Sequence, residues 1–229
     1  MASAAVVATD DMPSGPSAQI MWRKDRPARR AVQALEYARR GKVGGMDHVA
    51  TLCAVIAGDK LRWRILGLVR SLRLPDCWIG AGFVRNAIWD HLHHYPASPP
   101  AGDVDVLWFD PRQADPDRDR ALEMTLHRMD PSVTWSVKNQ ARMHLRNDDP
   151  PYASATDAMR HWPETATAVA VRRDDHDRCD VAAPLGLADL FDLVVRPTPG
   201  FGSAKRAIYD QRLQAKGWLT TWPRLRVDL

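Results

Sequence analysis

Cysteine is scarce in this chain. Cys53, Cys77 and Cys179 are widely spaced and form no Cys-x-x-Cys pair, so neither a disulfide framework nor a structural zinc site is indicated. The reading is free thiols, wholly or partly buried, in a reducing compartment. Long apolar runs are missing too. No stretch approaches the roughly 18 residues that a membrane span takes, and residues 1–9 lack the basic start of a secretory signal. The expectation is a cytoplasmic protein without a membrane partner. An internal repeat is also lacking. So is an excess of positive charge in the body of the chain: residues 1–46 hold eight Lys and Arg against four acids, which is the whole net charge of +4. A basic pI near 9.1 therefore does not by itself imply a positive groove for nucleic acid.

At 229 residues and 45% hydrophobic, the chain is long enough for one substantial core. Residues 1–45, rich in Ala, Ser, Pro, Gly and Arg, are expected to be a disordered basic extension, and 46–229 a single domain. Behind Asp47, Val49, Leu52, Cys53 and Ile56 recur at helical spacing. A second helix starts near Asp59, with Leu61, Ile65, Leu68, Val69 and Leu72 as its apolar stripe and Arg62 off it. Strands are expected over 78–80, 103–109, 133–137 and 166–172, with 179–181 as a hairpin partner of the last. Helices are expected over 82–91, 117–129, 139–145, 154–162, 186–194 and 203–216, the last followed by Trp218 and Trp222 as anchors. Strands and helices in this order give an α+β (mixed α/β) fold, a mixed sheet flanked by helices.

The chemistry gathers between 77 and 110. Trp78-Ile79-Gly80-Ala81-Gly82 runs from a buried strand into a helix, where backbone N–H groups at the positive end of the helix dipole can receive phosphate. Arg85 on the first turn adds a guanidinium fork. Asp103 and Asp105 alternate with Val104, so both carboxylates share one strand face, with backbones about 7 Å apart. Like charges so placed repel unless a cation lies between them, and hard oxygen ligands suit Mg²⁺ or Mn²⁺. The plain alternatives are a packing turn and a solvated strand start. Lys138, Asn139, Gln140, Arg142 and His144 put donors around a strand end, for phosphate or base; the alternative is an N-cap by Asn139 beside exposed basic residues. His91, His93 and His94 read as solvated loop residues rather than a metal cluster.

The run Trp-Ile-Gly-Ala-Gly-Phe-Val-Arg-Asn (78–86) followed by Asp-Val-Asp-Val (103–106) resembles the DNA polymerase β-like nucleotidyltransferase superfamily, in the style of its CCA-adding and bacterial poly(A) polymerase branch. With Trp-Ser-Val-Lys-Asn-Gln-Ala-Arg-Met-His (135–144), Tyr152, Asp157-Ala158, Trp-Pro-Glu-Thr-Ala-Thr-Ala-Val (162–169) and Ala-Pro-Leu-Gly-Leu (183–187), the chain is similar to a family of small bacterial predicted nucleotidyltransferases. The resemblance implies a nucleotidyltransferase-like sheet, Gly80, Ala81 and Gly82 near an incoming nucleoside triphosphate, and Asp103 and Asp105 as catalytic metal ligands. Glu164 and Thr165 match the acid-and-threonine segment beside the nucleotide pocket. Three departures stand out. The interval from Gly82 to Asp103 is long, Asn86 replaces an acid, and no third carboxylate is evident on the 133–137 strand.

The expected function is transfer of a nucleoside monophosphate from an NTP such as ATP to an acceptor that the sequence does not name. Its rivals are a nucleotide-binding regulatory module without catalysis and an RNA-binding protein using the basic extension.

Overall fold

A helix start leaves N–H groups without partners, and a short carboxylate side chain can satisfy them. Asp47 does so for α1 (His48–Gly58), accepting from Val49 N at 3.1 Å and Ala50 N at 3.2 Å. Asp59 does the same for α2 (Lys60–Ser71), accepting from Leu61 N and Arg62 N, each at 3.0 Å. The computed structural model describes residues 47–228, so the extension expected over 1–45 lies outside the described residues. Leu52, Ile56, Ile65, Leu66 and Val69 are the stripe these helices bury. Arg62 is buried with them, contrary to expectation. Its Nε donates to Phe83 O at 3.1 Å and its Nη1 to Ser98 O at 2.8 Å, with Asp59 as its ion-pair partner. Such partners are what let a guanidinium leave water, and here they tie the 93–102 loop to the helices.

Five strands form the main sheet: β1 (Trp78–Gly80), β2 (Val104–Trp108), β3 (Trp135–Asn139), β4 (Ala170–Arg173) and β5 (Cys179–Ala182), in the order β3-β2-β1-β4-β5. The central helix α3 (Gly82–Leu92) joins β1 to β2, which pair antiparallel. Within this sheet, among the described residues, only β2 and β3 pair in parallel. A parallel pair needs a crossover, and α4 (Pro116–Met129) supplies it, N-capped by Asp115 with Pro116 in the first turn. Ile79, Val104, Val106, Trp108, Val137 and Val171 face the large core under α1 to α4. On the opposite face, after α5 (Met143–Asn147), a short helix α6 (Ala155–Met159) covers Trp78, Leu107, Ala170 and Ala182.

Boundaries shift where the sequence signal is short. β3 starts at Trp135 rather than Val133. The strand expected over 166–172 splits into a 3₁₀ turn, Thr165–Thr167, and β4. The helix expected over 186–194 shrinks to α7 (Ala188–Phe191) and gives way to β6 (Val194–Val195), which pairs in parallel with β7 (Arg226–Val227). Two-residue strands carry no readable period. The last long helix is α8 (Arg206–Lys216). It is followed, across Gly217 at φ 59°, by α9 (Trp218–Thr221). Trp218 and Trp222 are buried edge-on against Trp89, with ring centroids at 5.7 and 5.1 Å. Trp222 Nε1 also donates to Asp90 Oδ1 at 2.8 Å. The C-terminal segment is thereby fixed against the buried helix α3.

The three cysteines are free and half-buried. Among the described residues, no helix is long and apolar enough to cross a membrane.

Candidate active site

The turn from β1 into α3 is built by close packing. A Cβ on Gly80 would lie 3.0 Å from the Trp162 ring, 3.1 Å from Leu107 Cδ1 and 3.2 Å from the Val169 carbonyl oxygen. Only glycine fits without displacing them. Ala81 follows at φ 54°, ψ −129°, a conformation that costs an L-residue energy. Its N–H donates to Val169 O at 3.2 Å. At Gly82 a Cβ would meet Arg85 Nη2 at 3.5 Å, an ordinary contact, so packing does not require glycine there. Among the described residues no side chain caps α3, which leaves the positive end of the helix without a side-chain acceptor at this turn.

Asp103 precedes β2 and is exposed, whereas Asp105 lies within it, half-buried. The register sets Trp78 opposite Leu107 and Ile79 opposite Val106, and its continuation brings Gly80 beside Asp105. The turn and the acids therefore meet at one end of the sheet. Burial, and then the negative charge of Asp103, push the Asp105 carboxyl up to about 6; Arg212, Arg85 and Lys216 pull the other way. On the other side Asp105 pairs with Ser136 of β3, so a hydroxyl stands on the neighbouring strand where a third carboxylate would be sought. Among the described residues no group of three or more His, Cys, Asp or Glu side chains is gathered to hold a metal.

Arg85 is buried and firmly held. Its Nη1 donates to Thr167 Oγ1 at 2.8 Å and its Nη2 to Asn86 Oδ1 at 2.9 Å, while its guanidinium sits 4.3 Å from the Trp218 ring and 5.0 Å from that of Trp89. Burial draws its pKa down to about 10, against the opposing pull of Glu164. Glu164 is itself buried and accepts from Arg212 Nε at 2.7 Å. The sequence reading missed Arg212 and Lys216. They lie four residues apart on one face of α8, and their charges reach Asp105 across the fold. The only local signal was a basic pair near the end of the expected 203–216 helix.

The remaining candidates have partners of their own. Asn139 is fully enclosed: its Oδ1 accepts from Ala141 N at 3.0 Å and its Nδ2 donates to Asp110 O at 2.8 Å and Gln113 O at 2.9 Å. It is the helix cap of the plainer reading, three residues along β2–β3 from the Asp105 pair, about 10 Å at strand rise. Lys138 donates to Glu123 Oε1 at 2.6 Å, and Arg142 pairs with buried Asp119. Thr165 donates to Asp189 Oδ2 at 2.6 Å; Thr167 is the threonine that meets Arg85. His93 bonds to Trp89 O at 2.8 Å and accepts from Arg224 N at 3.2 Å, so it joins the loop to the C-terminal segment.

A family model described as Nucleotidyltransferase matches residues 67–227. The chain belongs to the nucleotidyltransferase family. The nucleotidyltransferase is also similar to an NMR structure described as revealing a CCA-adding enzyme head domain: 34% identity, 77% of this chain and 94% of that one, TM-score 0.69. A CCA-adding enzyme complexed with CTP is 15% identical, covering 79% of this chain and 43% of its own, at TM-score 0.47. The Thermotoga maritima CCA-adding enzyme with tRNA is 16% identical, over 79% and 42%, at TM-score 0.46. The chain spans less than half the length of these two. No curated protein matches. The nucleotidyltransferase thus has the mixed-sheet fold of the polymerase β-like superfamily and is a nucleotidyl-transfer enzyme.

Proposed function

We propose that the nucleotidyltransferase binds a nucleoside triphosphate with Mg²⁺ or Mn²⁺ at the end of the sheet where Gly80, Asp103 and Asp105 meet, and transfers the nucleoside monophosphate to an acceptor oxygen. The observation that carries this reading is the placement of two hard oxygen donors, Asp103 and half-buried Asp105, two residues apart at the end of the sheet beside the Gly80 turn, where a divalent cation would relieve their repulsion. Asp103 and Asp105 are the side chains that would hold it. Bound there, a divalent cation would polarise the α-phosphate.

The chain's own groups account for the rest. Gly82 presents the uncapped start of α3 to phosphate, the Ala81 N–H being engaged by Val169 O, and Arg85 keeps positive charge beneath it. In the reaction the acceptor oxygen bonds to the α-phosphorus and the bond from that phosphorus to the bridging oxygen breaks. The electron pair leaves with pyrophosphate, and the acceptor's proton passes to water. Ser136 has no charge with which to draw that proton, so positioning and electrostatics carry the catalysis.

Parallel assays with α-labelled and γ-labelled NTPs, with Mg²⁺ or Mn²⁺ and with EDTA, test the proposal. Label from the α-position alone should appear in product, and only with metal. Transfer of γ-label would mean a different reaction. The same Ser136 favours one second reading, a nucleotide-binding module without turnover; tight NTP binding with no transfer to any acceptor would support it.

A further inference from the structure

The two cations of α8 differ from Arg85 in what they have free. Arg85 is enclosed, both terminal nitrogens are engaged, and its faces lie against Trp89 and Trp218. Arg212 is 31% exposed, and among the described residues only its Nε is hydrogen-bonded, to a Glu164 carboxylate that is 1% exposed. Its two terminal nitrogens remain as an open fork, the geometry that grips phosphate oxygens. Lys216, one turn further on, is exposed and in no ion pair among the described residues. Trp218 is shared by the two arginines, with the Arg212 guanidinium 5.7 Å from its ring and that of Arg85 at 4.3 Å. A mobile arginine could face anywhere. This one is tethered at one nitrogen by a buried acid and held beside a buried indole.

A triphosphate carries more negative charge than one divalent cation cancels, and further charge builds on the leaving pyrophosphate. Arg85 has no free terminal nitrogen with which to meet it. We infer that α8 completes the nucleotide site: Arg212 and Lys216 hold the β- and γ-phosphates, and Glu164 is the positioning residue that aims Arg212. The inference rests on the proposal that Asp103 and Asp105 mark the NTP site, and adds the half of that site that comes from the C-terminal segment.

Calorimetric titration of the full chain tests it, using each of the four NTPs, the matching NMPs and inorganic pyrophosphate, all with Mg²⁺. Lys216→Ala alters an exposed side chain and leaves folding intact. Arg212→Ala is paired with Glu164→Gln, so that no buried carboxylate is stranded. Each variant should bind NTP and pyrophosphate about tenfold more weakly or worse, with NMP affinity at the wild-type value. NTP affinity unchanged in both variants would overturn the inference while leaving the Asp103–Asp105 site standing. An equal loss for NTP and NMP would also overturn it, by showing a structural effect. If the wild-type chain bound no NTP, the site itself would be refuted and the inference with it.

Discussion

Glu164 and Arg212 form an ion pair at 2.7 Å in which the carboxylate is buried and the guanidinium partly exposed. Among the described residues Glu164 Oε2 is buried without a partner, so Arg212 is the one hydrogen-bonded counter-charge of the acid, with Arg85 adding a longer-range pull. Removing one member of a buried pair strands the other, which costs about 3–5 kcal/mol, more than the pair itself is worth. Arg212→Ala should fall at the lower end of that range because its solvent-facing side is already wet. Glu164→Gln, which leaves the guanidinium access to water, should cost less. Urea unfolding of the two variants checks the order.

The three residues of the turn should respond in three ways. Gly80→Ala drives a methyl into the Trp162 ring and the Val169 carbonyl, and overpacking of this kind costs about 1–3 kcal/mol. Ala81→Gly relieves a positive φ and should stabilise by about 1 kcal/mol. Gly82→Ala meets only ordinary contacts and should leave the melting temperature near the wild-type value, while crowding the open helix start and weakening NTP binding. Thermal melts of the three variants separate these effects.

Asp105 binds its proton more tightly in the folded chain, at about 6, than at its ordinary value of 3.8. Between those values the folded form keeps a proton that the unfolded form has lost. Stability from this group therefore falls as pH rises through that window and is level above it. Asp103→Asn removes the repelling charge and should lower the Asp105 pKa, though burial, the larger cause, keeps it above the ordinary value. Carbon NMR titration of the side-chain carboxyls reads both shifts.

Trp222 packs edge-on against Trp89 and donates to Asp90 at 2.8 Å. Trp222→Ala should cost about 3–5 kcal/mol. If α8 is held in place through this anchor, the same variant should also weaken NTP binding at temperatures where it remains folded, which calorimetry would register.

The strand–turn–helix at 78–92 and the paired acids were legible because their signals are local: glycines at a strand end, alternation of acid with valine, and an acid at Asp47 ahead of a helical stripe. What escaped was set by tertiary contacts. Arg62 carries an obvious charge, yet the Phe83 and Ser98 carbonyls let it lie in the core. Asn139 and Arg142 have the right chemistry for phosphate, but Asp110, Gln113 and Asp119 already engage them. Arg212 and Lys216 lie far along the chain from Asp105 in no shared motif, and only the folding of α8 toward the sheet brings their charges to it.

The central claim is that Asp103 and Asp105 together carry metal-dependent nucleotidyl transfer. The most direct measurement is the transfer rate of α-labelled NTP by the Asp103→Asn/Asp105→Asn double variant with Mg²⁺, compared with wild type under the same conditions. Loss of metal-held charge at the α-phosphate should lower kcat by at least about a thousandfold, equivalent to roughly 4 kcal/mol, with the fold intact by circular dichroism. Label transfer at the wild-type rate would contradict it.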